Sequence, residues 1–191
     1  MSARLVIMGP QGSGKGTQAA RISTHFAVPA ISTGDIFRSN IARGTELGAL
    51  AQGYTSRGEL VPDEVTNAMV RERLGQPDAA DGFILDGYPR NAAQVAELDA
   101  ILADLGARLD AVIQLTAERA ELMARMRRRA ELEGRADDTE EVINRRLDIY
   151  DAETAPLAKA YADRGLLVSV DGIGEVDEVT DRVLGALGAK V

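Results

Sequence analysis

Nine residues constrain this chain more than any others: Gly9-Pro10-Gln11-Gly12-Ser13-Gly14-Lys15-Gly16-Thr17, set between an apolar run at residues 4–8 and an amphipathic helical pattern. A strand, a glycine-rich loop with a lysine and a helix, in that order, form a phosphate-binding loop. The glycines let successive backbone N–H groups turn inward around an anion, where a Cβ would block the conformation or the approach. Lys15 then reaches the outer phosphates, and the positive end of the helix adds to the field. One detail departs from the commonest form of the loop. The residue after Lys15 is Gly16, and the hydroxyl arrives one place later at Thr17.

The rest of the chain repeats the same rhythm. Residues 4–8, 28–31, 83–85, 111–115 and 166–170 are short and apolar, as strands buried on both faces require. Between them, Ala92, Val95, Leu98, Ile101, Leu102 and Leu105 share one helical face, as do Val176, Val179, Val183, Leu184 and Leu187. Alternating strands and helices predict an α/β fold with a parallel sheet wrapped by helices. Two stretches break the rhythm. Residues 32–61 hold Gly34, Gly44, Gly48, Gly53 and Gly58 before Pro62 opens a helix, and read as a small insertion with room to hinge. Residues 127–138 are densely charged around Gly134, with Asp138 to Glu141 offering an N-cap and first-turn acids for the next helix.

Composition excludes several chemistries. With no cysteine and a single histidine, His25, among 191 residues, the chain builds no disulfide scaffold, thiolate nucleophile, iron–sulfur cluster, or cysteine or multi-histidine zinc site. The 22 basic residues stand against 30 acidic ones, a formal charge of -8 that argues against a nucleic-acid or membrane-surface binder. All but three of those basic residues are arginine, the planar bidentate phosphate binder. No segment reaches the roughly 18 uninterrupted apolar residues of a membrane span. The chain runs from Met1 into its first apolar stretch with no signal region, so a cytoplasmic protein is expected.

A second motif narrows the class. Residues 83–90 read Phe83-Ile84-Leu85-Asp86-Gly87-Tyr88-Pro89-Arg90, a buried strand ending in an acid, a tight turn and an arginine. Alone, this is an ordinary strand end. Beside a phosphate loop, Asp86 is placed to order Mg²⁺ and its waters. Gly14-Lys15-Gly16-Thr17 is the run that nucleoside monophosphate kinases carry, and with residues 83–90 the chain closely resembles the adenylate kinase family over essentially its whole length.

The resemblance implies a P-loop NTPase fold: a five-stranded parallel sheet flanked by helices within one core (1–191), a mobile AMP-binding insertion (32–61) and a short lid (128–138). It implies that Gly12, Ser13, Gly14, Lys15, Gly16, Thr17, Arg129 and Gly174 meet ATP. Thr33, Arg38, Glu59, Leu60, Val61, Gly87, Tyr88, Pro89, Arg90, Gln94, Arg135 and Arg146 would meet AMP. Lys15, Asp86, Arg90, Arg129, Arg135 and Arg146 would serve the chemistry, with Asp86 holding Mg²⁺ through water and Asp137 and Asp138 near the lid hinge. Arg125, Arg127, Arg128 and Arg145 are expected on a solvated face. The lid lacks cysteines and resembles the short, zinc-free variants.

The reaction so implied is Mg-ATP plus AMP giving two ADP, in a monomer that binds neither nucleic acid nor membrane. Two other readings compete. Pyrimidine monophosphate kinases share both motifs, but tend to have alanine at the place of Thr33 and asparagine at that of Gln94. A regulatory P-loop ATPase would need no second set of arginines.

Overall fold

The apolar runs become the strands of a single sheet: β1 (Ala3–Met8), β2 (Ala30–Ser32), β3 (Gly82–Asp86), β4 (Ala111–Thr116) and β5 (Leu167–Asp171). In this computed structural model, which describes residues 2–135, 138–188 and 190–191, they pair in parallel in the order β2-β3-β1-β4-β5. β1 is central, with Val6 opposite both Leu85 and Val112. Successive side chains of a strand point to opposite faces. Val6, Met8, Leu85 and Val112 therefore enter one core, and Leu5, Ile7, Ile84 and Ile113 enter the other.

Helices cover both faces, which is why the strands read as unbroken apolar runs. On one side lie α1 (Lys15–Phe26) and α9 (Val176–Leu187), contributing Ala19, Ile22, Val179, Val183 and Leu187. On the other lie α4 (Asp63–Leu74), α5 (Ala92–Asp104) and α8 (Leu157–Asp163), contributing Val70, Leu74, Leu98, Ile101, Leu102 and Tyr161. Two smaller cores stand apart. Phe37 of α2 (Thr33–Ala42), Ala51 of α3 (Glu46–Thr55) and Val61 form one. Leu122 and Met126 of α6 (Arg119–Glu133) pack on Ile143 and Leu147 of α7 (Glu140–Ile149) in the other.

Several local expectations shift. The second strand lies at Ala30–Ser32, and Ser32 caps α2 by accepting the Asp35 N–H at 3.2 Å. Ala92 and Leu105 leave the expected face of α5, because the helix starts at Ala92 after its Asn91 cap and Leu105 lies beyond its last turn. Val176, the first residue of α9, is exposed for the same kind of reason. The charged stretch is no loop over its first half. α6 continues to Glu133 and stops where Gly134 turns left-handed, with φ 59°. The cap of α7 is Thr139, whose hydroxyl accepts the Val142 N–H at 3.3 Å, and Asp138 is committed elsewhere. Asp137 lies outside the described residues.

α2 and α3 cross at Gly48, where a Cβ would sit 2.2 Å from the Asn40 carbonyl oxygen. Helix propensity favours alanine over glycine by about 1 kcal/mol, but overpacking against backbone costs about 1–3 kcal/mol. The clash wins, so Gly48→Ala is expected to lower the thermal midpoint by several degrees in a circular-dichroism melt. An unchanged or raised midpoint would show that the two helices can separate freely.

Candidate active site

Strand order reverses at β1, so the loop that follows it opens into the crevice at the carboxyl end of the sheet, where α/β folds bind ligands. Gly12 and Gly14 adopt left-handed φ of 82° and 93°, and Ser13 N–H closes the turn on the Pro10 carbonyl at 3.1 Å. Gly14 caps α1 without any side-chain hydrogen bond, which leaves first-turn amides to an anion.

Two cavities meet over this loop. One, of about 360 Å³, lies between the insertion and the sheet and is lined by Thr33, Arg38, Glu59, Leu60, Val61, Gly87, Arg90, Gln94 and Arg146. The other, of about 250 Å³, is lined by Gly12, Gly14, Lys15, Gly16, Thr17, Asp86, Arg129 and Arg135. Gln11, Gly34, Arg38, Gly87 and Arg90 border both. A narrow pocket beside them is walled by Lys15, Tyr88, Pro89 and Arg146. Two expected residues line none of the three. Ser13 is buried beneath the loop, and Gly174 sits in the exposed turn before α9.

The electrostatics favour a polyanion. Lys15 Nζ lies 4.0 Å from Asp86 Oδ1. Burial pulls the Lys15 ammonium below its ordinary pKa, Asp86 opposes that, and Arg90, Arg129 and Arg38 reinforce it. Arg90 is lowered in the same way, by burial first, with Asp86 opposing and Arg146 and Arg38 adding repulsion. Among the described residues, Asp86 and Asp35 are the carboxylates that line the loop cavity. Among the described residues no group of three or more His, Cys, Asp or Glu could hold a metal ion by itself.

Arg90 is held by three bonds. Its N–H donates to Gln94 Oε1 at 2.7 Å, its Nε donates to the Gly87 carbonyl at 2.8 Å, and its carbonyl accepts the Thr154 hydroxyl at 2.6 Å. Thr154 ends a π-helical turn, Tyr150–Thr154, a local widening of the helix often found at functional sites. Thr33 donates to the same Gly87 carbonyl at 3.1 Å, so the start of α2 and the turn after β3 are tied together.

Other residues escaped the sequence reading. The solvated-face expectation holds for the exposure of Arg127, Arg128 and Arg145 and fails for Arg125. Arg125 lines the loop cavity and donates to the carbonyls of Gly12 and Gly172, both at 3.3 Å. It lies one helical turn before Arg129, and that i, i+4 spacing was the available signal. Asp138 has a fully buried side chain. Its Oδ2 accepts from Arg129 Nη2 at 2.6 Å and Nε at 3.0 Å, and its Oδ1 accepts from Arg146 Nη1 at 2.7 Å. The Glu59 side chain turns to Arg57 and Arg145, at 2.9 and 2.7 Å.

Comparison with known proteins places this geometry among relatives. The family model described as adenylate kinase matches residues 7–166. The chain is 60% identical over 184 residues to the adenylate kinase of Nocardioides sp., spanning 96% of each chain. It is 59% identical to that of Kocuria rhizophila, over 96% of this chain and 98% of the relative. It is 51% identical over 187 residues to that of Thermobifida fusca, over 98% and 99% respectively.

Asp138 is a buried charge shared by two arginines, and removing such a partner is costly. Asp138→Ala is expected to lower the unfolding free energy by about 3 kcal/mol or more, whereas Arg128→Ala on the exposed face stays within about 0.5 kcal/mol. Urea unfolding measures both. Equal, small shifts would mean that the arginines find other partners.

Proposed function

The chain belongs to the adenylate kinase family, and from that premise we propose how its cleft divides between two nucleotides. As a family member it is a phosphotransferase with a phosphate group as acceptor, transferring the terminal phosphoryl group of ATP to AMP to give two ADP. In our reading ATP takes the loop cavity, with Gly12 to Thr17 and Lys15 around its phosphates, Arg129 beside them and Gly174 beyond, near the base. AMP takes the larger cavity, its base toward Gln94, Thr33, Glu59, Leu60 and Val61, and its phosphate toward Arg38, Arg90 and Arg146, with Arg135 reaching that phosphate from the loop cavity it borders. Gly87, Tyr88 and Pro89 form the turn that carries Arg90. The observation that supports this most is the shared border: the two cavities meet at Arg38 and Arg90, between the loop on one side and an apolar-lined space on the other.

The chemistry then asks little of proton transfer. The nucleophile is a phosphate oxygen of AMP, whose second pKa of about 6 leaves it mostly ionised at neutral pH. The difficulty is to bring two polyanions into line while charge spreads over the transferring oxygens. Lys15, Arg90, Arg129, Arg135 and Arg146 oppose that charge, and their contacts strengthen as water leaves. Asp86 fits a water-mediated Mg²⁺ ligand: its carboxylate borders the loop, its Oδ2 3.9 Å from where a Cβ on Gly16 would lie, with Thr17 bordering the same cavity. Bound there, Mg²⁺ supplies further neutralisation of the phosphate oxygens.

Residues 32–61 and 128–138 act in this reading as flaps that close over the acceptor and donor and exclude water, and their opening limits turnover. The insertion's separate small core of Phe37, Ala51 and Val61 supports its part of that division. The chain works as a monomer in the cytoplasm. Its exposed large apolar residues, such as Leu50, Leu105 and Leu132, belong to different elements, and no described helix is long and apolar enough to cross a membrane.

A coupled ADP assay offering AMP, UMP, CMP and GMP in turn is expected to select AMP. Preference for a pyrimidine monophosphate would overturn the base-end assignment. Lys15→Met is expected to slow transfer by at least about 10³-fold, the scale of losing a phosphate-facing cation. Because burial already disfavours the Lys15 charge, its thermal midpoint should hold or rise. A clear fall would show that attraction to Asp86 outweighs desolvation.

A further inference from the structure

Asp63, the first residue of α4, has no place in the assignments above, yet it faces one of their central residues. Its Oδ1 accepts two hydrogen bonds, from Gln94 Nε2 at 2.9 Å and from Asn91 Nδ2 at 3.0 Å. Gln94 is 2% exposed and borders the larger cavity, and its Oε1 accepts the Arg90 N–H at 2.7 Å. A primary amide has two N–H donors and two acceptor lone pairs. The protein uses one of each and leaves one of each.

These partners decide which way the amide points. Turned over, Gln94 would set its carbonyl oxygen against the Asp63 carboxylate and its NH₂ against the Arg90 N–H, an acceptor facing an acceptor and a donor facing a donor. Asn91 is held by the same logic, since its Oδ1 accepts the Gln94 N–H at 2.9 Å while its Nδ2 donates to Asp63. An ionised carboxylate can only accept. Asp63 therefore imposes a direction that a hydroxyl in its place, which donates as readily as it accepts, would not enforce.

We infer that Asp63 is a specificity-determining positioning residue, which holds the Gln94 amide with its donor on the Asp63 side and its acceptor on the Arg90 side. This rests on the reading that Gln94 meets the acceptor base. A 6-aminopurine carries the complementary pair, an acceptor at N1 and a donor at the 6-amino group. A 6-oxopurine carries the reverse, a donor at N1 and an acceptor at O6. Discrimination is large where a mismatched analogue leaves buried polar groups unpaired.

The test measures KM for AMP, the competitive inhibition constant of IMP against AMP, KM for ATP, and kcat, in wild type, Asp63→Ala, Asp63→Asn and Gln94→Ala. Asp63→Ala is expected to raise KM for AMP about tenfold, the scale of one lost hydrogen-bond constraint, with kcat and KM for ATP unchanged. IMP binding should hold or tighten, so the AMP-to-IMP ratio narrows by about tenfold or more. Asp63→Asn keeps an oxygen at the position of Oδ1 and should restore AMP binding to within about threefold of wild type. Glu64 still supplies a first-turn acid to α4 in every Asp63 variant. If Gln94→Ala weakens AMP but Asp63→Ala leaves the ratio unchanged, the orienting role is wrong while the base-end reading stands. If Gln94→Ala leaves AMP binding untouched, that reading falls and takes the proposal with it. Equal losses toward ATP and AMP, with a lowered melting midpoint, would reduce Asp63 to a structural acid and overturn the inference.

Discussion

Lys15 and Arg90 are kept as cations where burial disfavours charge, and each feels further cations across the cleft. The protein supplies too little negative charge to relieve this: Asp86 stands at 4.0 Å from Lys15, and Asp138 is already taken by Arg129 and Arg146. Such a site is strained electrostatically until a polyanion enters it. The sheet can carry that strain because the crevice lies at the end of β1 and β3, whose Leu5, Ile7, Ile84 and Leu85 are buried in the two large cores. Stability is thus concentrated below the site and unfavourable charge above it, an arrangement expected where function requires groups that folding alone would reject.

The same constraint explains why an acidic chain can handle phosphate. A net charge of -8 is a property of the whole surface, and exposed charges lose their reach within about 10 Å of water at ordinary salt. Inside the cleft the arginines act over shorter distances and in less water. Many of the acids are spent on exposed ion pairs such as Arg71 with Asp104 and Arg164 with Asp99, which contribute little stability but leave the cleft cationic.

Much of this was legible in order along the chain. Strands buried on both faces announce themselves as apolar runs, and the loop from Gly9 to Thr17 carries its spacing and its chemistry together. The α/β sheet, the phosphate loop and the clustering of Arg38, Arg90 and Arg146 around one space were all readable from motifs. What was not readable depends on partners far away in sequence. Asp138 looks like a helix cap from its neighbours, and only the approach of Arg129 and Arg146 makes it a buried counter-ion. Arg125 looks like its solvated neighbours until the turn of α6 carries it over the Gly12 carbonyl. Leu105 fits the helical period but falls after the last turn, where periodicity no longer says which way a side chain points.

The links between the two small cores carry the last step. Arg146 lies on α7, yet its Nη2 donates to the Thr55 carbonyl at the end of α3 at 3.3 Å while its Nη1 holds Asp138. Arg145, its neighbour, pairs with Glu59 on the segment leaving the insertion. A Cβ on Gly58 would stand 3.0 Å from the Val142 carbonyl oxygen, so the backbones themselves are close here. The insertion and the α6–α7 unit have separate apolar cores but share a polar seam, and that seam runs through a residue assigned to the phosphate. Coupling of this kind needs a two-state element that both sites bias. The seam is such an element if Arg146 exchanges Thr55 or Asp138 for a phosphate oxygen, because each bond given up loosens one unit while the ligand draws on the other.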